Sequence, residues 1–140
     1  MTSDCIFCNI CSGAQPTEIL YQDDEIAIFN DIKPAAKYHY LAIPKQHIQN
    51  VRSLTTDHKP LIEKLINTGK NVLQEKGADI NDIRLGFHVP PFNSISHLHL
   101  HLISPASDMR LIGRMIFRPD TWWFATPEHI ISNLPNPNKL

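Results

Sequence analysis

Three histidines, His97, His99 and His101, alternate with Leu98, Leu100 and Leu102. On a strand, successive side chains point to opposite faces, so this spacing predicts leucines in a core and three imidazoles along the other face. Neighbouring rings on that face would stand about 7 Å apart, twice the rise per residue. Imidazole titrates near neutrality, which leaves three readings of such a row. It can be a solvated strand face that happens to carry histidine, although strict threefold alternation disfavours this. It can be a metal site, because His-x-His with a further histidine is a common zinc arrangement. It can be a covalent catalyst, in which one unprotonated ring nitrogen attacks while its neighbours hold or donate protons. A second chemical cluster, Cys5, Cys8 and Cys11, lies at the start of the chain. Cys5-x-x-Cys8 alone is a weak signal, compatible with redox chemistry or with small buried hydrophobes.

Elements to position these groups are readable around them. Residues 18–21 and 25–29 form short β-like runs joined by the turn Gln22-Asp23-Asp24, which predicts a hairpin. A third strand over 39–43 is stopped by Pro44. A helix is predicted from Thr56 to about Lys76, with Thr55 or Thr56 as its cap and Pro60 early enough to be tolerated. Leu61, Ile62, Leu65, Ile66, Val72 and Leu73 fall on one face of it, and Gly77 is a stop signal. Two further strands are predicted over 84–89 and 94–104, separated by Pro90-Pro91-Phe92-Asn93. Thr126-Pro127-Glu128 reads as the capped start of a short last helix around Ile130 and Ile131. The sum is an α+β fold, an antiparallel meander of about five strands covered by one long helix, with a short C-terminal helix.

The bulk numbers exclude several classes. One domain over 1–140 is expected, with a core at about 5–105 and an extension over 106–140. A formal net charge of −1 argues against broad nucleic-acid binding, which needs many cations, but leaves room for one small anion in a pocket. Three clustered cysteines are a poor disulfide framework and favour a reducing compartment. With no signal-peptide pattern and no apolar run near the ~20 residues of a span, a cytosolic or nuclear, membrane-free protein is expected.

His97-Leu98-His99-Leu100-His101-Leu102-Ile103 resembles the signature of the histidine triad superfamily. Residues 5–10 (CIFCNI), 29–34 (FNDIKP) and 39–47 (HYLAIPKQH) also resemble motifs of that family, in its order, so the likeness covers about residues 5–105. Gly86-Phe87-His88-Val89-Pro90-Pro91 and Ser94-Ile95-Ser96-His97 are most like the adenosine 5′-monophosphoramidase branch, with the aprataxin-like DNA-adenylate hydrolases second. No downstream Cys/His finger and no excess of positive charge accompany the triad, which favours the first branch.

The resemblance implies a HIT-like fold and an enzyme that cleaves the P–N bond of AMP-amines such as AMP-lysine through an AMP-histidine intermediate. It makes His99 the nucleophile, His101 the ring that binds phosphate oxygens and helps carry a proton, and His97 and His39 rings that orient the row. Ser94 falls where a hydroxyl contacts phosphate or leaving group, and Asp31 where a carboxylate holds the ribose hydroxyls. Ile32, with Phe7, Ile10 and Phe29, would form the slot for the base, although Ile10 and Phe29 alone read as core and Asp31 alone as a turn cap. Gly86 departs from the pattern, standing where many relatives have asparagine, and His88 or Asn93 would replace the lost hydrogen bond. No cofactor is implied for catalysis. A structural zinc on Cys5, Cys8, His47 and His97 is implied by some members, and a homodimer by the small branches.

The arginines at 110, 114 and 118 recur every four residues and predict a basic helical stripe, either solvated or in contact with phosphates. Trp122-Trp123-Phe124 reads as core or subunit contact, with a substrate role open.

Overall fold

The structure, a computed structural model, describes residues 3–137. Its centre is a six-stranded sheet in the order β1-β2-β3-β5-β4-β6, with every neighbouring pair antiparallel. β1 (Ile19–Gln22), β2 (Ile26–Asn30) and β3 (Tyr38–Pro44) follow one another as a meander. The chain then leaves the sheet through α2 (Lys59–Glu75) and returns as β4 (Arg84–His88), one place further out. β5 (Leu100–Ser104), the strand that carries His101, fills the gap between β3 and β4. A crossover helix allows this placement, since β3 and β4 run parallel and no tight turn can join parallel strands.

The alternation of strand side chains builds two layers. Ile26, Ile28, Tyr40, Ala42, Leu100 and Leu102 face α2 and pack with its Ile62, Leu65, Ile66, Val72 and Leu73. Gly69 sits on the same face of α2, where a β-carbon would lie 2.7 Å from Leu102 Cδ2, so the helix rests directly on β5. On the opposite layer Ala27, Phe29, Leu41 and Ile43 pack with Phe7 and Ile10 of α1 (Ile6–Ser12). His39 and His101 lie on that second layer, beside Ile103 and its partners Met109, Phe117 and Phe124.

The α+β arrangement expected from the sequence is the one observed, with the long helix and the short last helix, α4 (Pro127–Ser132), in place. Thr126 caps α4 by accepting the His129 N–H at 3.2 Å. A sixth strand comes from the extension, where β6 (Phe124–Ala125) pairs with β4. Two local expectations change. The strand predicted over 94–104 begins only at Leu100, because Leu98 N–H donates to Ile48 O (2.7 Å) and pulls the chain off the ladder. The basic stripe is not one helical face: α3 spans only Leu111–Ile116, with Arg110 as its cap and Arg118 beyond its end.

Candidate active site

Hydrogen bonds from the backbone or from a neighbouring ring assign a proton to one nitrogen of each ring. Ala35 N–H donates to His39 Nδ1 at 2.9 Å, so the His39 proton sits on Nε2. That Nε2–H donates to His101 Nδ1, also at 2.9 Å, which leaves the His101 proton on its own Nε2. His101 Nε2 is buried and, among the described residues, is the one buried side-chain polar atom without a partner. His99 is set the other way: its Nδ1–H donates to His97 O at 2.7 Å, so Nε2 carries the lone pair. Among the described residues His99 Nε2 makes no hydrogen bond, and the residue is only 7% exposed. The two rings stand 5.1 Å apart, centre to centre. One offers an unpaired lone pair and its neighbour an unpaired N–H.

His97 does not share this wall, contrary to the expected row of three. Its Nε2–H donates to Pro44 O at 2.8 Å, and the freed Nδ1 lone pair faces Cys5 Sγ (3.3 Å), Cys8 Sγ (3.5 Å) and His47 Nδ1 (3.2 Å). Cys8 Sγ lies 3.3 Å from His47 Nδ1, and all four ligand atoms fall within 4.8 Å of one another. Around a tetrahedral zinc with bonds of about 2.0–2.3 Å, ligand-to-ligand edges run about 3.3–3.8 Å, so the donor set and spacing fit such an ion. Without a cation, burial and then the Cys5 side chain push the Cys8 thiol up to about 11. A divalent ion would reverse that preference. The alternating histidines thus part: His97 faces a donor set whose spacing suits a metal, whereas His99 and His101 present an unpaired lone pair and an unpaired N–H, because the bend before Leu100 turns the first ring away.

Burial keeps the rings neutral. It pushes His39 down to about 4 against the opposing pull of Asp31, and lowers His101, His99, His97 and His88 as well. Asp31 Oδ2 lies 3.3 Å from His39 Nε2, while Oδ1 accepts Lys33 N–H at 2.8 Å in a turn. The carboxylate is therefore both turn cap and neighbour of the His39–His101 pair. Asp31, His39 and His101 also form a group of possible metal ligands, but their contacts are those of a proton-sharing chain anchored at Ala35 N–H.

The other expected residues divide. Phe7 meets the edge of His99 (5.2 Å) and of His97 (5.8 Å), and with Ile10 and Phe29 it is buried core. Ile32 is not packed among them and is 93% exposed. Asn93 lines the interior beside His88 and His99, its amide donating to Ile95 O (3.4 Å). Ser94 is exposed on the cleft next to Cys5, Cys8 and His47 rather than beside His99. His88 is the neighbour that strand patterning undervalues: its ring lies 5.0 Å from that of His101, and Nε2–H donates to Ile116 O at 3.0 Å. Phe117 and Phe124 complete the enclosure of His101 at 5.0 and 6.1 Å. Gly86 has a steric reason to depart from asparagine, since a β-carbon there would lie 2.3 Å from Phe124 Cε2 and 2.9 Å from Ala125 O. The extension fills that space.

An alternating histidine triad on an α+β sheet, with its central ring free to react, defines a class, and comparison with known proteins agrees. A family model described as the scavenger mRNA decapping enzyme C-terminal binding region matches residues 4–116. The HIT family hydrolase from Legionella pneumophila Philadelphia 1 superposes with a TM-score of 0.69 at 33% identity, covering 72% of this chain and 92% of that one. The chain belongs to the histidine triad superfamily and, with its triad intact, is a hydrolase of that fold. Within the family it is similar to adenosine 5′-monophosphoramidase HINT3 of Xenopus tropicalis, at 46% identity over 132 residues, 93% of this chain and 86% of the relative. Aprataxin of Gallus gallus is 35% identical over 98 residues, 69% of this chain but 30% of that protein. Among the described residues no helix is long and apolar enough to cross a membrane.

Proposed function

We propose that the chain hydrolyses the P–N bond of adenosine 5′-monophosphoramidates through a covalent AMP–His99 intermediate. The observation that carries this reading is the opposed protonation of neighbouring rings, a bare His99 Nε2 beside an unpartnered His101 Nε2–H. His99 Nε2 attacks the α-phosphorus and the P–N bond breaks. His101 Nε2–H hydrogen-bonds the phosphoryl oxygen on which charge builds, and the departing nitrogen takes a proton from solvent water, leaving as a neutral amine. A water then attacks the AMP–His99 phosphorus and loses its proton to solvent, the bond from phosphorus to His99 Nε2 breaks, and AMP is released with the His99 lone pair restored. His39 holds His101 in the required tautomer throughout. In the same reading Asp31 accepts from the ribose hydroxyls, and Ile32, the accessible apolar side chain beside it, meets the base. Asn93, which lines the same interior space as His99, contacts phosphate, and Ser94 would reach the leaving group only from the neighbouring cleft of Cys5, Cys8 and His47.

A structural zinc on Cys5, Cys8, His47 and His97 accompanies this reading without entering the reaction. A homodimer would cover part of the exposed apolar surface at Leu111, Ile112, Met115 and Trp122.

The test is mass spectrometry of enzyme quenched during turnover of AMP-lysine. An AMP adduct mapped to His99, absent from His99→Ala, is the expected result. No adduct, together with turnover that stops on chelation and returns with a divalent ion, would overturn the covalent mechanism.

A further inference from the structure

A second polar cleft, of about 660 Å³, lies between the ends of α3 and the start of β4 and is lined by Arg84, Arg114 and Arg118, with Asp82 and Ser107 on its rim. Three arginines and a single acidic residue, Asp82, thus line it. Asp82 is already engaged, since it accepts from Ser107 N–H at 3.0 Å and from the Ser107 hydroxyl. None of the three arginines forms an ion pair with a carboxylate among the described residues. Two are held instead by neutral backbone oxygens: Arg84 Nη1 donates to Phe117 O at 2.8 Å, Arg114 Nε to Met109 O at 2.8 Å, and Arg114 Nη2 to Ser107 O at 2.8 Å. Such bonds fix the planar forks and, apart from the pull of Arg84 on the Asp82 carboxyl, leave their charge without a carboxylate in ion-pair reach among the described residues. Arg118 is exposed and its side chain has no partner among the described residues.

We propose that this cleft binds the phosphate chain of a ligand carrying two or more phosphates, at a site separate from the triad. A guanidinium fork matches phosphate oxygens in pairs, and arginines already ordered lose less freedom on binding than mobile ones do. The cleft is large enough for a short phosphate chain. It is isolated from His99 by Phe117, whose carbonyl binds Arg84 on one side and whose ring covers His39 and His101 on the other. The ligand would therefore bind without displacing a nucleotide at the histidines.

Titration of the full chain, uniformly labelled with nitrogen-15, with inorganic tripolyphosphate tests the proposal. Saturable amide shifts centred on Arg84, Ser107, Arg114 and Arg118 are expected, weakening as salt is raised. They persist in His99→Ala. In Arg118→Glu, a change at an exposed and unpartnered side chain that leaves the fold intact, the apparent Kd rises about tenfold or more. Loss of sequestered metal would show separately, as shifts at Cys5 and Cys8. Shifts confined to residues 97–101 and lost in His99→Ala would place the anion at the triad and overturn this site while sparing the hydrolase reading. Linear, unsaturated shifts, or an Arg118→Glu curve identical to that of the parent, would overturn it as well.

Discussion

The first and last histidines of the triad are four residues apart and chemically identical, yet the fold gives them opposite surroundings. His97 is clasped by the N-terminal helix through two sulfurs and His47, and its free lone pair points into a cluster of electron-pair donors. His101 is sealed by the C-terminal extension through Phe117 and Phe124, and it has a free proton with nothing to receive it. Neither difference comes from the ring. Each follows from which backbone or side-chain group claims the other nitrogen, Pro44 O at His97 and the His39 relay at His101. A donor cluster asks for a cation, whereas a buried unsatisfied N–H asks for an anion or a leaving group.

The most severe way to break this contrast is to remove each ring in turn. His101→Gln takes away the N–H that stabilises charge growing on the phosphoryl oxygens, and kcat for an AMP-amine should fall by about 10²–10³-fold. His97→Gln should cost less than about tenfold in kcat, because the carbonyl that orients His99 belongs to the backbone, but should abolish stoichiometric metal binding. Steady-state kinetics with metal analysis of both variants distinguishes the two ends. Equal losses of kcat would erase the division of labour.

Much of this contrast lay beyond the reach of sequence. The alternating leucines truthfully reported the core, since Leu98, Leu100 and Leu102 are all buried. The same alternation extended the strand too far, because a single long-range bond, Leu98 N–H to Ile48 O, ends the ladder and lets His97 turn. α1 is seven residues, too short to display helical periodicity, and it was legible only as a cysteine motif. Gly86 was visible as a departure, but its cause, the ring of Phe124 brought back by β6, lies almost forty positions away. His88 offered one histidine in an otherwise ordinary strand; its contact with His101 exists only once β4 and β5 pair. By contrast α2 was readable from its apolar face, because one helix carries its whole signal locally.

The metal end is next in size. If Cys5, Cys8, His47 and His97 hold zinc, free metal at about a thousand times its Kd should stabilise the fold by about 4 kcal/mol. Stripping it with a chelator should lower Tm markedly while residual turnover at 25 °C continues, as measured by calorimetry and AMP release on one sample. A Tm indifferent to chelation would leave the cluster a set of packed thiols.

Acid sharpens the other end. His39 is pushed down to about 4 in the native fold by burial, against an unfolded value of 6.5. Between those values the unfolded chain binds a proton that the native chain refuses. Stability therefore falls as pH drops from about 6.5 to about 4, levels off below, and is unaffected by this ring above 6.5. At 1.36 kcal/mol per unit the loss is roughly 3 kcal/mol for His39, and the depressed His99 and His101 act in the same direction. Urea unfolding of metal-free protein at pH 7 and pH 4.5 measures it. A midpoint that does not move would mean these rings are charged or hydrated in the native state.

The smallest effect isolates the extension. A β-carbon at Gly86 would sit 2.3 Å from Phe124 Cε2, and Phe124 is fully buried, so its ring cannot swing into solvent without opening the enclosure of His101. Gly86→Ala should therefore destabilise by about 1–3 kcal/mol, the usual cost of overpacking a core. The disturbance starts on β4 at the His101 side, and His97 is held by α1 and Pro44 instead. Metal affinity should thus be unchanged while Tm falls, and a second change, Phe124→Leu, should recover part of the loss by clearing the space. If Gly86→Ala melts like the parent, or if it weakens metal binding as much as stability, the two ends are not independently held.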